Sequence, residues 1–247
     1  MWWKSSPRSG ADEGAGVMDC DLTLYVVLDP HLTGGRALLD VARAALYGGA
    51  TVLQLRDKRA LPRELLATAE ALTALTRAAG ARFVMNDHAD IAAAVGGGVH
   101  LGPDDLSITA ARALLGPEAL IGFSAGAPVE ARDAERAGAD YLGTGAVYGT
   151  SSKVDAGAPI GVDGLARVIH ATRVPVVAIG GVTLGRAAPC IAAGTAGVAV
   201  ITAVTLAADV EAAARALRDE GEAARGGWRG RAPVPARSGG EGGWGYT

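Results

Sequence analysis

Short, mainly apolar runs alternate along the chain with longer alanine-rich segments in which apolar residues recur at helical spacing. Mainly apolar runs too short for helices are expected of strands buried on both faces, and the longer segments of helices that cover them. Strands are predicted at Leu22–Leu28, Val52–Leu55, Arg82–Met85, Gly98–Leu101, Leu120–Ser124, Tyr141–Thr144, Val176–Ile179 and Gly197–Ile201. A helix is expected after each, from Arg36–Tyr47 after the first to Ala207–Arg218 after the last. Gly48, Gly80, Gly138 and Gly194 stand where such helices should end, and a left-handed residue there would turn the chain into the next strand.

Parallel strands need crossover connections, these are right-handed, and eight of them can close into a barrel without free edges. The fold class expected is therefore α/β, a single (β/α)8 TIM barrel spanning residues 20–220. An open doubly wound sheet would carry a glycine-rich turn after the first strand, where Asp29 and Pro30 stand instead. Residues 1–19 and 221–247 repeat Gly, Ser, Arg and Pro without a period and read as disordered tails holding all of the tryptophans.

Composition sharpens this picture in four respects. Aromatic content of 4% leaves Val, Ile, Leu and Ala to fill the core, as suits a parallel barrel. A formal net charge of −3 gives no global basic field, so neither nucleic acid nor a membrane is expected as a partner. No apolar run has spanning length, and the first residues lack the apolar stretch of a secretory signal, so a cytoplasmic protein is expected. Cys20 and Cys190 have no metal-ligand spacing and read as structural thiols. A homo-oligomer is left open.

In a barrel of parallel strands all C-terminal strand ends open on one face, so residues far apart in sequence can meet there. After the second strand, alternation sets Gln54, Arg56 and Lys58 on one side. Lys58 and Lys153 are two of the few lysines among 23 basic residues, and a compact ammonium differs physically from a planar guanidinium. Asn86 and Asp87 follow the third strand, and Asp104 and Asp105 the fourth. Carboxylates from neighbouring strand ends can share Mg²⁺, which takes a few hard oxygens plus water and phosphate, though either acid could instead cap the next helix. Ser124 ends the fifth strand, and the long loop after the sixth carries Thr150, Ser151, Ser152 and Lys153, hydroxyls and an ammonium suited to phosphate or diphosphate. Gly180 and Gly181 after the seventh strand, with Ile201 and Thr202 after the eighth, occupy the usual phosphate site of such barrels, where backbone N–H groups can approach an anion. His100 ends a strand and reads as structural, and His31, His88 and His170 show no spacing for zinc.

Taken together these segments resemble the thiamine-phosphate synthases from Leu22 to Val204. Q-L-R-D-K, N-D, G-V-H-L-G-P-D-D-L, I-G-F-S, D-Y-L-G-T-G-A-V-Y-G-T-S-S-K, A-I-G-G-V and G-V-A-V-I-T occur in that family's order. The resemblance implies a transferase that joins hydroxymethylpyrimidine diphosphate to thiazole phosphate with Mg²⁺, giving thiamine phosphate and diphosphate. It implies that Gln54 and Asn86 orient the pyrimidine and that Arg56, Lys58, Ser124 and Lys153 hold its diphosphate. Asp87 and Asp105 would position the metal, and Thr150, Ser152, Gly180, Gly181, Ile201 and Thr202 would bind the thiazole phosphate. Asp57, Ser152 and Thr202 stand where the family commonly has Glu, Thr and Ser, each keeping the functional group, and Gly102-Pro103-Asp104-Asp105 replaces the usual Gly-Gln-Glu-Asp. Two rival readings are a thiazole tautomerase-like barrel, which would lack the diphosphate set, and a non-catalytic barrel that binds a phosphorylated metabolite, which would need neither metal nor diphosphate groups.

Overall fold

A computed structural model gives the fold and describes residues 20–150 and 157–228. The strands are β1 (Leu24–Leu28), β2 (Val52–Leu55), β3 (Arg82–Asn86), β4 (Gly98–Leu101), β5 (Ile121–Ser124), β6 (Tyr141–Thr144), β7 (Val176–Ile179) and β8 (Gly197–Val200). Each pairs in parallel with its sequence neighbours, and β8 returns to β1 through Leu24 opposite Val198, so the sheet is a closed barrel. The predicted strands agree with these to within two residues at each end.

Alternation divides the strand side chains between two apolar layers. On β1, Leu24, Val26 and Leu28 belong to the layer between sheet and helices, while Tyr25 and Val27 join Val52, Val84, Tyr141, Val177 and Ala199 inside the barrel. The strands are therefore apolar on both faces, which is why they appear in the sequence as continuous runs.

The covering helices are α1 (Leu38–Tyr47), α2 (Pro62–Ala78), α3 (Ala89–Val95), α4 (Ile108–Leu115), α5 (Pro128–Ala137), α6 (Gly161–Ile169), α7 (Ala187–Ala192), the short α8 (Thr202–Thr205) and α9 (Val210–Trp228). Gly80, Gly138 and Gly194 have the positive φ expected of them. Gly48 does not: its φ is −74°, and Gly49 turns the chain instead at φ +93°. What Gly48 supplies is room, because a Cβ there would lie 2.4 Å from the Glu211 carbonyl and 2.6 Å from the Ala214 Cβ of α9. The boundary at residue 220 falls inside α9, which runs on through Gly221 to Trp228. Composition points to a boundary there because Gly221, Gly226 and Gly227 each cost a helix about 1 kcal/mol, whereas α9 continues through them and packs on α1 and α7. The expected tail at 1–19, and the part of the other at 229–247, lie outside the described residues. No helix among the described residues is long and apolar enough to cross a membrane.

Candidate active site

At the C-terminal ends of the strands lies a cavity of about 490 Å³. Lys58, Asn86, Asp87, Asp105, Ser124, Thr150, Gly180, Gly181, Ile201 and Thr202 all line it. A smaller recess beneath, inside the barrel, adds Gln54 and Arg56 and shares Asn86, Ser124 and Ile201 with the cavity above. Every candidate within the described residues thus lines one of two adjoining cavities. Ser151, Ser152 and Lys153 lie outside the described residues, on the loop that leaves the cavity wall at Thr150.

The acidic pair lies side by side at the cavity wall. The residues at the N-caps of α3 and α4 are His88 and Ser107, so neither Asp87 nor Asp105 caps a helix. Asp105 turns back to accept from the Gly102 N–H at 2.7 Å. Asp87 holds a left-handed φ of +65°, uncommon for a residue with a side chain, and its carboxylate is 3.5 Å from the Lys58 ammonium. Burial raises the Asp87 carboxyl above the usual carboxylate range, the neighbouring Asp105 carboxyl raises it further, and Lys58 opposes the rise. Two neighbouring carboxylates are hard oxygen donors of the kind Mg²⁺ takes beside water and phosphate, although among the described residues no group of three or more His, Cys, Asp or Glu that could hold a metal is present.

The cations are held differently from each other. Arg56 is nearly buried and pairs with Asp29 at 3.0 Å, so it is no solvated turn residue. Its Nε–H is buried without a partner among the described residues, a donor that burial leaves costly until an acceptor arrives. Lys58 is about half exposed and lies against the Asp87 carboxylate at the rim.

Gly180 and Gly181 have φ of +93° and +63°. Cβ atoms there would lie 2.5 Å from the Ala146 Cα and 2.4 Å from the Gly149 carbonyl oxygen. The pair therefore does two things: it exposes backbone to the cavity, and it lets the loop after β6 lie flat on the end of β7, where Val147 and Tyr148 donate to the Ile179 and Gly180 carbonyls at 2.9 Å. Arg186 braces the same corner, donating to the Gly181 carbonyl at 3.1 Å with its guanidinium 5.0 Å from the Tyr148 ring centre. Glu220 of α9 accepts from the N–H groups of Gly185 and Ala188, tying this corner to the last helix. Burial raises the Cys190 thiol beside Tyr148 and keeps it a structural residue, as expected.

His100, read from sequence as structural, lines the cavity. Its Nε2 is 3.0 Å from the Ser124 Oγ and its Nδ1 3.0 Å from the Tyr141 hydroxyl. Tyr141 in turn meets the Tyr25 hydroxyl at 2.8 Å, and Tyr25 accepts from the Gln54 amide at 2.8 Å. Tyr25, Tyr141 and Asp29 were not singled out from sequence as site residues, and His100 was set aside as structural. The strand alternation that selected Gln54 would have found Tyr25, Tyr141 and His100, since all point into the barrel, and the strand-end rule would have found Asp29.

The model of the family described as thiamine monophosphate synthase matches residues 24–204. The chain belongs to that family. It is 53% identical over 204 residues to the thiamine-phosphate synthase of Moorella thermoacetica, covering 82% of this chain and 97% of that one. The thiamine-phosphate synthase of Natronomonas pharaonis is 48% identical, covering 82% of this chain and 96% of its own. Among solved structures, the thiamine phosphate pyrophosphorylase from Pyrococcus furiosus superposes with a TM-score of 0.76 at 39% identity, over 83% of this chain and 98% of that one. The tryptophan synthase of Mycobacterium tuberculosis, at 20% identity and a TM-score of 0.59, shares the fold alone. The enzyme is thus a transferase of thiamine biosynthesis, and the two rival readings gain no support from these relatives.

Proposed function

We propose that this member of the family joins hydroxymethylpyrimidine diphosphate to thiazole phosphate in the strand-end cavity, with Mg²⁺ held by Asp87 and Asp105. The observation that carries the reading is convergence: an acidic pair, two cations, a strand-end hydroxyl and a paired-glycine turn face two adjoining cavities large enough for two small ligands. Mg²⁺ would supply charge neutralisation for the departing diphosphate. Arg56 and Lys58 meet the same oxygens, and the unpartnered Nε–H of Arg56 gains an acceptor there. Gln54 and Asn86, both buried at the recess, would bind the pyrimidine by its polar edge. Gly180, Gly181, Ile201 and Thr202, with Thr150 and Ser152 from the loop after β6, would hold the thiazole phosphate.

The chemistry is a substitution at the pyrimidine methylene. The carbon–oxygen bond to diphosphate breaks first and its electron pair leaves with the diphosphate. The aminopyrimidine ring spreads the positive charge left on carbon. The thiazole nitrogen then donates its lone pair to that carbon, no proton is lost, and the charge finishes on the thiazolium ring. Such a route needs preorganised charge at the leaving group and no protein nucleophile. The reading assigns small molecules as partners and the cytoplasm as the compartment, in keeping with a formal net charge of −3 and no spanning apolar run.

The test is direct. Purified protein, both substrates and Mg²⁺ should yield thiamine phosphate and an equal amount of diphosphate, and no product under any metal would refute the proposal. Lys153→Ala should cut kcat about a hundredfold while leaving the KM for thiazole phosphate within about threefold, the signature of a group that acts on the leaving diphosphate. Steady-state kinetics with each substrate varied in turn would read both numbers, and an unchanged kcat would remove Lys153 from the site.

A further inference from the structure

We propose that Gln54, Tyr25, Tyr141, His100 and Ser124 form a one-way hydrogen-bond relay that fixes His100 as the Nε2–H tautomer and turns the Ser124 hydroxyl proton toward the diphosphate. The relay rests on the reading of the cavity as a diphosphate site, and Tyr25, Tyr141 and His100 act in it as positioning residues.

Its direction follows from counting protons. The Gln54 Nε2 donates to the Tyr25 hydroxyl at 2.8 Å. Tyr25 is buried, and among the described residues its hydroxyl has one other hydrogen-bond neighbour, the Tyr141 hydroxyl at 2.8 Å. Burial pushes both phenols well above their ordinary range, so each keeps its one proton. With an N–H already arriving from Gln54, the Tyr25 proton must go to Tyr141. Tyr141, now an acceptor on that side, must give its own proton to the His100 Nδ1 at 3.0 Å. Were Nδ1 protonated instead, Tyr141 would have to donate back to Tyr25, and the Tyr25 proton would be buried without an acceptor, at a cost of about 1–3 kcal/mol. His100 therefore carries its proton on Nε2 and donates it to the Ser124 Oγ at 3.0 Å. Among the described residues Ser124 has no other side-chain partner, so its O–H is left for whatever enters the cavity.

The arrangement is built into the barrel. A Cβ on Gly122 would stand 2.1 Å from the Tyr141 Cζ, and one on Gly143 would stand 2.9 Å from the His100 Cε1. Glycine at these two inward positions makes the space in which the relay lies. Its chemical consequence concerns sign. A serine that donates to its histidine offers an incoming anion only lone pairs, whereas a serine that accepts from it offers a proton, and an O–H donated to a charged oxygen is among the stronger hydrogen bonds. The relay thus converts an amide deep in the barrel into a donor at the mouth.

Long-range ¹H–¹⁵N correlation of the histidine rings in uniformly ¹⁵N-labelled protein tests this, with His100 assigned by the signal lost in His100→Gln. The expected spectrum shows a protonated Nε2 and a bare Nδ1. A protonated Nδ1, alone or with Nε2, overturns the proposal. In Tyr25→Phe and Tyr141→Phe the tautomer should become mixed and the Kd for inorganic diphosphate with Mg²⁺ should rise about tenfold, while the KM for thiazole phosphate stays unchanged. An unaltered His100 spectrum and unaltered diphosphate affinity in both variants would also overturn it, and should either variant not fold, the wild-type spectrum decides. The spectrum is read without turnover, so failure to form thiamine phosphate would count against the proposed reaction and not against the relay.

Discussion

Replacing Asp87 by asparagine is expected to lower turnover by about a thousandfold while leaving a protein that resists heating better than the wild type. The two effects have one cause. Asp87 is pressed against the Asp105 carboxyl in a partly buried position, so its charge is useful to a bound cation and unfavourable to the empty fold. It caps no helix, so little structure depends on it. Its left-handed φ of +65° suits asparagine at least as well as aspartate. The sign of the pH dependence follows from the raised carboxyl. The folded state holds the Asp87 proton more tightly than the unfolded chain, so ionisation favours unfolding as pH rises through the window between the two values. In metal-free buffer the stability gained by Asp87→Asn should therefore be complete at neutral pH and fade as pH falls toward the ordinary carboxylate range. Melting curves across that range, beside turnover with saturating Mg²⁺, measure both halves. A variant that is inactive and also less stable at neutral pH would show that Asp87 supports the fold instead.

Gly181→Ala should have the next largest effect, raising the KM for thiazole phosphate about a hundredfold and lowering Tm by about 5 °C. A methyl group there meets the Gly149 carbonyl oxygen at 2.4 Å and the Tyr148 Cβ at 2.8 Å, and backbone at φ +63° cannot yield without cost. The loop after β6 must lift, which carries Thr150 away from the turn and pulls on the Arg186 bond to the Gly181 carbonyl. Calorimetry together with KM values for each substrate separates this from general damage. If the KM for the pyrimidine diphosphate rose equally, the glycine pair would not be specific to the thiazole side.

The barrel was legible because its strands are buried on two faces and its helices on one, so both periods are written in the sequence; β2, β4, β6 and β7 agree residue for residue. The lining of the candidate site was legible where a polar side chain interrupts an apolar run, as at Gln54, Asn86 and Asp87. It was obscured where chemistry hides inside the apolar pattern. Tyr25 and Tyr141 count as core by hydropathy and are core by burial, yet their hydroxyls link Gln54 to His100. Gly48 was expected to reverse the chain and instead admits α9, because nothing in a single sequence separates a glycine needed for its φ from one needed for its size. Arg56 was placed at the rim by alternation, but its partner Asp29 comes from another strand, and only the closed sheet brings the two together.

The paired phenols have a further bearing on side reactions. Tyr25 and Tyr141, each almost wholly shielded from solvent, stand across the bore of the cylinder and stop it from below. Among the described residues these two rings close the recess on its inner side. If the proposed reaction runs through an electrophilic carbon there, bulk water would have to come from the strand-end mouth, the side on which a bound thiazole would stand in its way.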